Sequence, residues 1–109
     1  MKKTVQLYVY GSSVACASCV GAPSSKAIKE WLSAAIERKF EQQPFLIKYL
    51  DVFETKGMTE EERQMAQRIM AEDYLYPVIV LDNKIVIEGE PRLQDIYKLM
   101  IEYGYEPTM

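Results

Sequence analysis

The sequence predicts an α/β fold: a four-stranded mixed sheet with helices on both faces, in the order β-α-β-α-β-β-α. Three observations carry that prediction. The apolar period switches between two and about 3.6 residues along the chain, which is the signature of strands alternating with helices. The first switch yields a strand, a helix and a strand within about fifty residues, the length of a βαβ unit. The last part of the chain holds two short β-branched runs around a turn, followed by one more amphipathic stretch.

Each element has its own warrant. "TVQLYVY", Thr4 to Tyr10, places Val5, Leu7 and Val9 on one face and Tyr8 and Tyr10 on the other, so it reads as a strand that can be buried on both faces. From Pro23 the period lengthens. Ile28, Trp31, Leu32, Ala35, Ile36 and Phe40 form one stripe, with Lys26, Lys29, Glu30, Glu37 and Arg38 mostly opposite, and Pro23 lies near the first turn or at a kink. "FLIKYLDV" after Pro44 is a second strand, expected to run parallel to the first. "MTEEERQMAQRIMAEDYL" opens with a capping box, Thr59 to Glu62, and carries Met65, Ile69 and Met70 inward. Val78 to Leu81 and Ile85 to Ile87 form a hairpin about Asp82-Asn83-Lys84, expected antiparallel to the first two strands. Pro91 starts a final helix in which Leu93, Ile96, Tyr97 and Met100 repeat, and Gly104 ends it.

Bulk composition narrows the function. The chain has 109 residues, 49% of them hydrophobic, enough for a real core, and no linker, repeat or low-complexity segment divides it. Residues 1–109 are therefore expected to form one domain. The net charge is −3 and the cations are dispersed, so no basic stripe suits nucleic acid. No apolar run approaches the length of a membrane span. There is no histidine, which excludes Ser-His-Asp and Cys-His nucleophile pairs and any imidazole-held zinc. Lys2, Lys3 and the apolar run before "SSVACA" imitate a secretory signal, with Ala15-Cys16-Ala17 as a cleavage box. Gln6 and Gly11-Ser12-Ser13 break that run after six residues, and cleavage would strip the first helix of its strand. A cytoplasmic location is expected, and there a close cysteine pair is more often redox-active or metal-binding than structural.

The two cysteines, Cys16 and Cys19, stand three apart between the first strand and the first helix. Random placement would give that spacing only about 2 per cent of the time. At a helix start, orphan N–H groups and the helix dipole favour negative charge, so a thiolate is favoured over a thiol. If the turn is already helical there, both sulfurs share one face within bonding reach. Cys16, normally the more exposed, would attack a disulfide, and Cys19 would resolve the mixed disulfide. No cofactor is needed. Other readings stay open: two small buried side chains without function, half of a zinc or Fe–S site completed by a dimer or partner chain, or a disulfide that senses rather than catalyses.

The strand, the C-x-x-C of Cys16-Ala17-Ser18-Cys19, the helix and "YPVIV" entering a hairpin resemble the thioredoxin fold. More closely, "CASCVGAPSSK" with "EWL" and "YPVIVLDNKIV" is similar, over the whole chain, to the YuzD-like proteins of Gram-positive bacteria, a thioredoxin-like branch with no established activity to carry over. The thioredoxin resemblance implies that Cys16 attacks and Cys19 resolves. It also implies that Pro77 is a cis proline set against the pair, where neighbouring backbone, at Tyr76, helps hold a substrate strand. Gly89 fits a glycine that thioredoxins often carry beside these loops. The implied partner is a protein thiol or disulfide client. The departures are Ala17-Ser18 between the cysteines, Ala15 where thioredoxins have tryptophan, and Tyr8 and Tyr10 where their first strand has a buried acid. These favour a specialised or regulatory role over a general reductase, and no basic pocket supports glutathione. The alternative is a non-catalytic adaptor whose cysteines hold a metal or Fe–S cluster with another chain.

The remaining conspicuous residues have structural readings. Trp31 and the stripe of Met65, Ile69 and Met70 are expected in the core, and the "TEEER" acids mark a helix start. Tyr74, Tyr76 and Tyr105 are expected as an exposed cluster suited to a partner surface or a homodimer.

Overall fold

The computed structural model describes residues 4–11, 25–89 and 91–107. Its elements are β1 (Val5–Gly11), α1 (Ser25–Lys39), β2 (Phe45–Asp51), α2 (Glu60–Ala71), β3 (Val78–Leu81), β4 (Lys84–Glu88) and α3 (Leu93–Glu102). The strands form one mixed sheet in the order β2-β1-β3-β4, as expected of a thioredoxin-like α/β fold. β1 and β2 are parallel from Val5↔Phe45 to Gly11↔Asp51. β3 lies antiparallel to β1, from Leu7↔Leu81 to Tyr10↔Val78. β4 is antiparallel to β3, so it runs parallel to β1. The hairpin as a whole is thus not antiparallel to the first two strands; only β3 is.

Strand periodicity divides the core into two layers. Val5, Leu7 and Val9 point to the side covered by α1 and α3, where Ile28, Leu32, Ile36, Phe40, Ile96 and Met100 are buried with them. Tyr10, Leu50, Val52, Val78 and Val80 point to the other side, against Met65, Ala66 and Ile69 of α2. Phe40 stacks edge-on against Tyr97 and Tyr105, both at 5.8 Å between ring centres, a preferred aromatic geometry. A twelve-residue helix spans only about 18 Å, so α2 covers part of its face. Tyr10 is buried there, Tyr8 half-buried and Gln6 exposed.

The local signals hold at most element ends. Thr59 caps α2: its hydroxyl accepts from Glu62 N–H at 3.1 Å, and its own N–H donates to Glu62 Oε1 at 2.9 Å. The β3–β4 turn is tighter than expected. Asp82 and Asn83 both take positive φ, 54° and 61°, the pattern of a two-residue hairpin turn, and Lys84 belongs to β4. Arg92 caps α3, so Pro91 precedes the helix rather than starting it. Gly104, at φ 95°, follows the α3 C-cap. The Pro23 expectation falls outside the described residues.

Three expectations about side chains are corrected. Trp31 and Met70 are each 43% exposed. Both lie about 90–100° around their helices from the centre of the buried stripe, beside it rather than in it. Tyr105 is 3% exposed and packs with α1 and α3, whereas Tyr74 and Tyr76 pack partly against the α2 layer. The sheet separates them, so the three tyrosines do not form one exposed cluster. Among the described residues, no helix is long and apolar enough to cross a membrane.

Candidate functional site

Parallel pairing of β1 with β2 and antiparallel pairing with β3 bring three chain segments to the end of β1. Gly11 pairs with Asp51, and its carbonyl accepts from Val52 N–H at 2.9 Å. Tyr10 pairs with Val78, so Pro77 and Tyr76 enter β3 beside that end. β4 finishes there as well, with Val78 opposite Glu88. The Tyr76–Pro77 peptide bond is cis, as the resemblance implies. Pro77 is buried and Tyr76 half-buried.

The segment before β3 is tied to the end of β4. Gly89 N–H donates to both the Leu75 carbonyl at 3.1 Å and the Pro77 carbonyl at 2.9 Å. Leu75 N–H donates to Glu88 Oε2 at 3.0 Å. Gly89 reaches this position with φ 79°, a conformation that glycine adopts without steric penalty. Tyr76, between the tied residues, makes no backbone hydrogen bond with the other described residues. Burial, with Asp73 and Asp51 nearby, pushes its hydroxyl above the usual tyrosine range. The same end of the sheet exposes two large apolar side chains, Phe53 and Leu75.

Cys16 and Cys19 lie outside the described residues. Along the chain, Cys16 is five positions after Gly11, and α1 begins six positions after Cys19. Tyr76 and Pro77 therefore stand at the edge from which the chain runs on to the cysteines. Among the described residues, no group of three His, Cys, Asp or Glu is arranged to hold a metal ion.

A second feature lies on the α2 face. A cavity of about 720 Å³ is lined by Gln6, Tyr8, Tyr10, Glu62, Asp82 and Tyr103, among others. Glu62, 7% exposed, meets Lys48 Nζ at 3.1 Å. Burial alone would push the Glu62 carboxyl up. The N–H of Thr59 and the Lys48 ammonium outweigh that and hold it below the usual carboxylate range. Burial, with Glu62 close by, raises the Tyr10 hydroxyl. Sequence reasoning took Glu62 as a helix-start acid and missed this pair, because its partner sits on a different element 14 residues away. The Leu75–Glu88–Gly89 ties were missed for the same reason.

A sequence model described as "Protein of unknown function (DUF1462)" matches residues 8–101. The chain belongs to this family. The matched residues run from within β1 through most of α3. A Bacillus subtilis (strain 168) protein named "Putative disulfide oxidoreductase YuzD" is 43% identical over 105 residues, covering 96% of each chain. This agrees with the YuzD-like resemblance of the sequence. The crystal structure of a Staphylococcus aureus protein of unknown function is 33% identical, with a TM-score of 0.74 over 93% of this chain and 92% of that one.

Proposed function

We propose that this DUF1462 chain is a thiol–disulfide oxidoreductase in which Cys16 attacks and Cys19 resolves, with Tyr76 and Pro77 beside them holding the client. The observation that carries this reading is the placement of Tyr76–Pro77 next to the end of β1, where the chain leads into the C-x-x-C segment. The backbone of Tyr76, which makes no hydrogen bond with the other described residues, supports it, since an extended client segment gains affinity through main-chain hydrogen bonds. The relative named as a disulfide oxidoreductase supports it too, through 43% identity over nearly the whole chain.

The chemistry needs only sulfur. The Cys16 thiolate attacks one sulfur of a client disulfide, forming a mixed disulfide and releasing the client's other sulfur as a thiolate. The Cys19 thiolate then attacks Cys16 Sγ. The Cys16–Cys19 disulfide forms and the second client thiolate leaves. Two electrons pass to the client, and the two protons given up by the cysteines end on its two thiols. An external dithiol restores the reduced pair, and the same steps reversed oxidise a client dithiol. Tyr76, just before Pro77, contributes position by presenting its backbone to the client.

A redox titration in dithiothreitol buffers, following the two-hydrogen mass change of the pair, tests this. A reversible transition between roughly −270 and −200 mV is expected, the range of thioredoxins and glutaredoxins. Absence of a disulfide at every poise would overturn the reading and turn attention to metal analysis.

A further inference from the structure

Leu75 is the most exposed large apolar side chain among the described residues, at 68%, although its backbone is fully tied down. Its N–H is held by Glu88 Oε2 at 3.0 Å and its carbonyl by Gly89 N–H at 3.1 Å. Single exposed leucines are ordinary on protein surfaces, and most need no explanation. This one differs in two respects. Both of its backbone groups are anchored, so the side chain is displayed at a fixed place instead of riding on a loose loop. It also adjoins Tyr76, whose backbone makes no hydrogen bond with the other described residues.

A strand laid against Tyr76 directs alternate side chains to each face, so one of them falls beside Leu75. Among the described residues, carboxylates stand close to Leu75 and Tyr76. Glu88 accepts from its N–H, Asp73 lies two residues before it, and the nearby Arg68 is already paired with Glu72 at 3.1 Å. An acidic segment would be repelled there, and a basic one attracted.

We propose that Leu75, displayed by the Glu88–Gly89 clasp, is a specificity residue for the client: it selects a disulfide whose cysteine is flanked by an apolar side chain, with a basic residue one step further on. This inference rests on the oxidoreductase reading. Leu75 contacts the client and takes no part in sulfur transfer. Glu88 is a positioning residue that also supplies the local negative charge.

The test uses the whole chain, reduced beforehand and freed of reductant, so that Cys16 and Cys19 supply both electrons. Three short peptide disulfide dimers are offered, containing Lys-Leu-Cys, Lys-Ser-Cys or Glu-Leu-Cys, with dithiodiethanol as a small disulfide control. Second-order rates are read from the masses of acid-quenched samples. The Lys-Leu-Cys dimer is expected to react about fivefold faster than Lys-Ser-Cys, a fraction of what full burial of a leucine yields. It is expected to react about threefold faster than Glu-Leu-Cys at low salt. Leu75→Ser should bring the leucine-to-serine ratio close to one. Glu88→Gln, which keeps an acceptor for Leu75 N–H, should reduce the lysine-to-glutamate preference and retain that for leucine. These ratios do not depend on how much each variant loses overall. Equal rates for the leucine and serine peptides in the unmodified chain, or an undiminished ratio in Leu75→Ser, would overturn the inference while the oxidoreductase reading stands. No reaction with any disulfide, dithiodiethanol included, would overturn both.

Discussion

The hydroxyl of Tyr105 accepts a hydrogen bond from the backbone N–H of Val5 at 3.0 Å, across a separation of 100 residues. The same hydroxyl donates to the carbonyl of Pro44, immediately before β2. One buried phenol thus ties the segment after α3 to the starts of both parallel strands. Tyr105→Phe keeps the ring against Phe40 and leaves two backbone groups without a partner. A loss of about 1–2 kcal/mol is expected, read as a Tm lower by roughly 4–8 °C. An unchanged Tm would show that water replaces the hydroxyl at no cost.

Thr59 and Glu62 close the capping box of α2 reciprocally. Thr59→Ala removes the acceptor for Glu62 N–H and should cost about 1 kcal/mol in urea denaturation, whereas Thr59→Ser should be close to neutral. Equal losses in the two variants would place the role of Thr59 in its methyl group rather than its hydroxyl.

The Lys48–Glu62 pair gives a pH dependence with a definite sign. The folded Glu62 carboxyl is held below its usual range, so its contribution is present above the unfolded value, about 4.3 for glutamate. It is lost as pH falls through the folded value. Lys48→Met leaves Glu62 buried without its cation. Half of the lysine side chain is exposed, so a loss of about 1–2 kcal/mol at pH 7 is expected rather than the full cost of breaking a buried pair. The difference from the unmodified chain should narrow as pH falls through the folded Glu62 value, since a protonated carboxyl no longer needs the cation. A difference that stays constant from pH 7 to 3 would rule out Glu62 ionisation as its source.

Replacing Cys19 by serine removes the resolving sulfur. In the proposed mechanism, Cys19→Ser accumulates a covalent mixed disulfide through Cys16, seen by non-reducing mass spectrometry as an adduct that dithiothreitol removes. Cys16→Ser should form no such adduct. If Cys19→Ser forms none either, and instead loses bound zinc or iron measured in the unmodified chain, the pair belongs to a metal-holding adaptor.

Sequence patterns of short range survived folding best. The 3.6-residue stripe of Ile28, Leu32, Ala35 and Ile36 and the capping box at Thr59 each depend on neighbours within a turn or two, and each is present. Trp31 and Met70 misled because an apolar residue at the margin of a stripe has the same spacing as one in its centre. Which of them meets the sheet depends on how the helix is rolled, and one helix in isolation does not encode its roll. In the candidate site, the cis bond at Pro77 was legible through the resemblance. The ties from Glu88 and Gly89 to the Leu75–Pro77 segment were not, since they join residues brought together only by the β3–β4 pairing.

By itself, then, the sequence determined the elements and their order, because propensity and capping act locally along the chain. Tertiary structure alone decided that Leu75 is displayed to solvent, that the buried Glu62 meets Lys48, and that Tyr105 reaches Val5. Each of those outcomes depends on a contact between separate elements, and such contacts exist only once the sheet has fixed its register and the helices have been laid upon it.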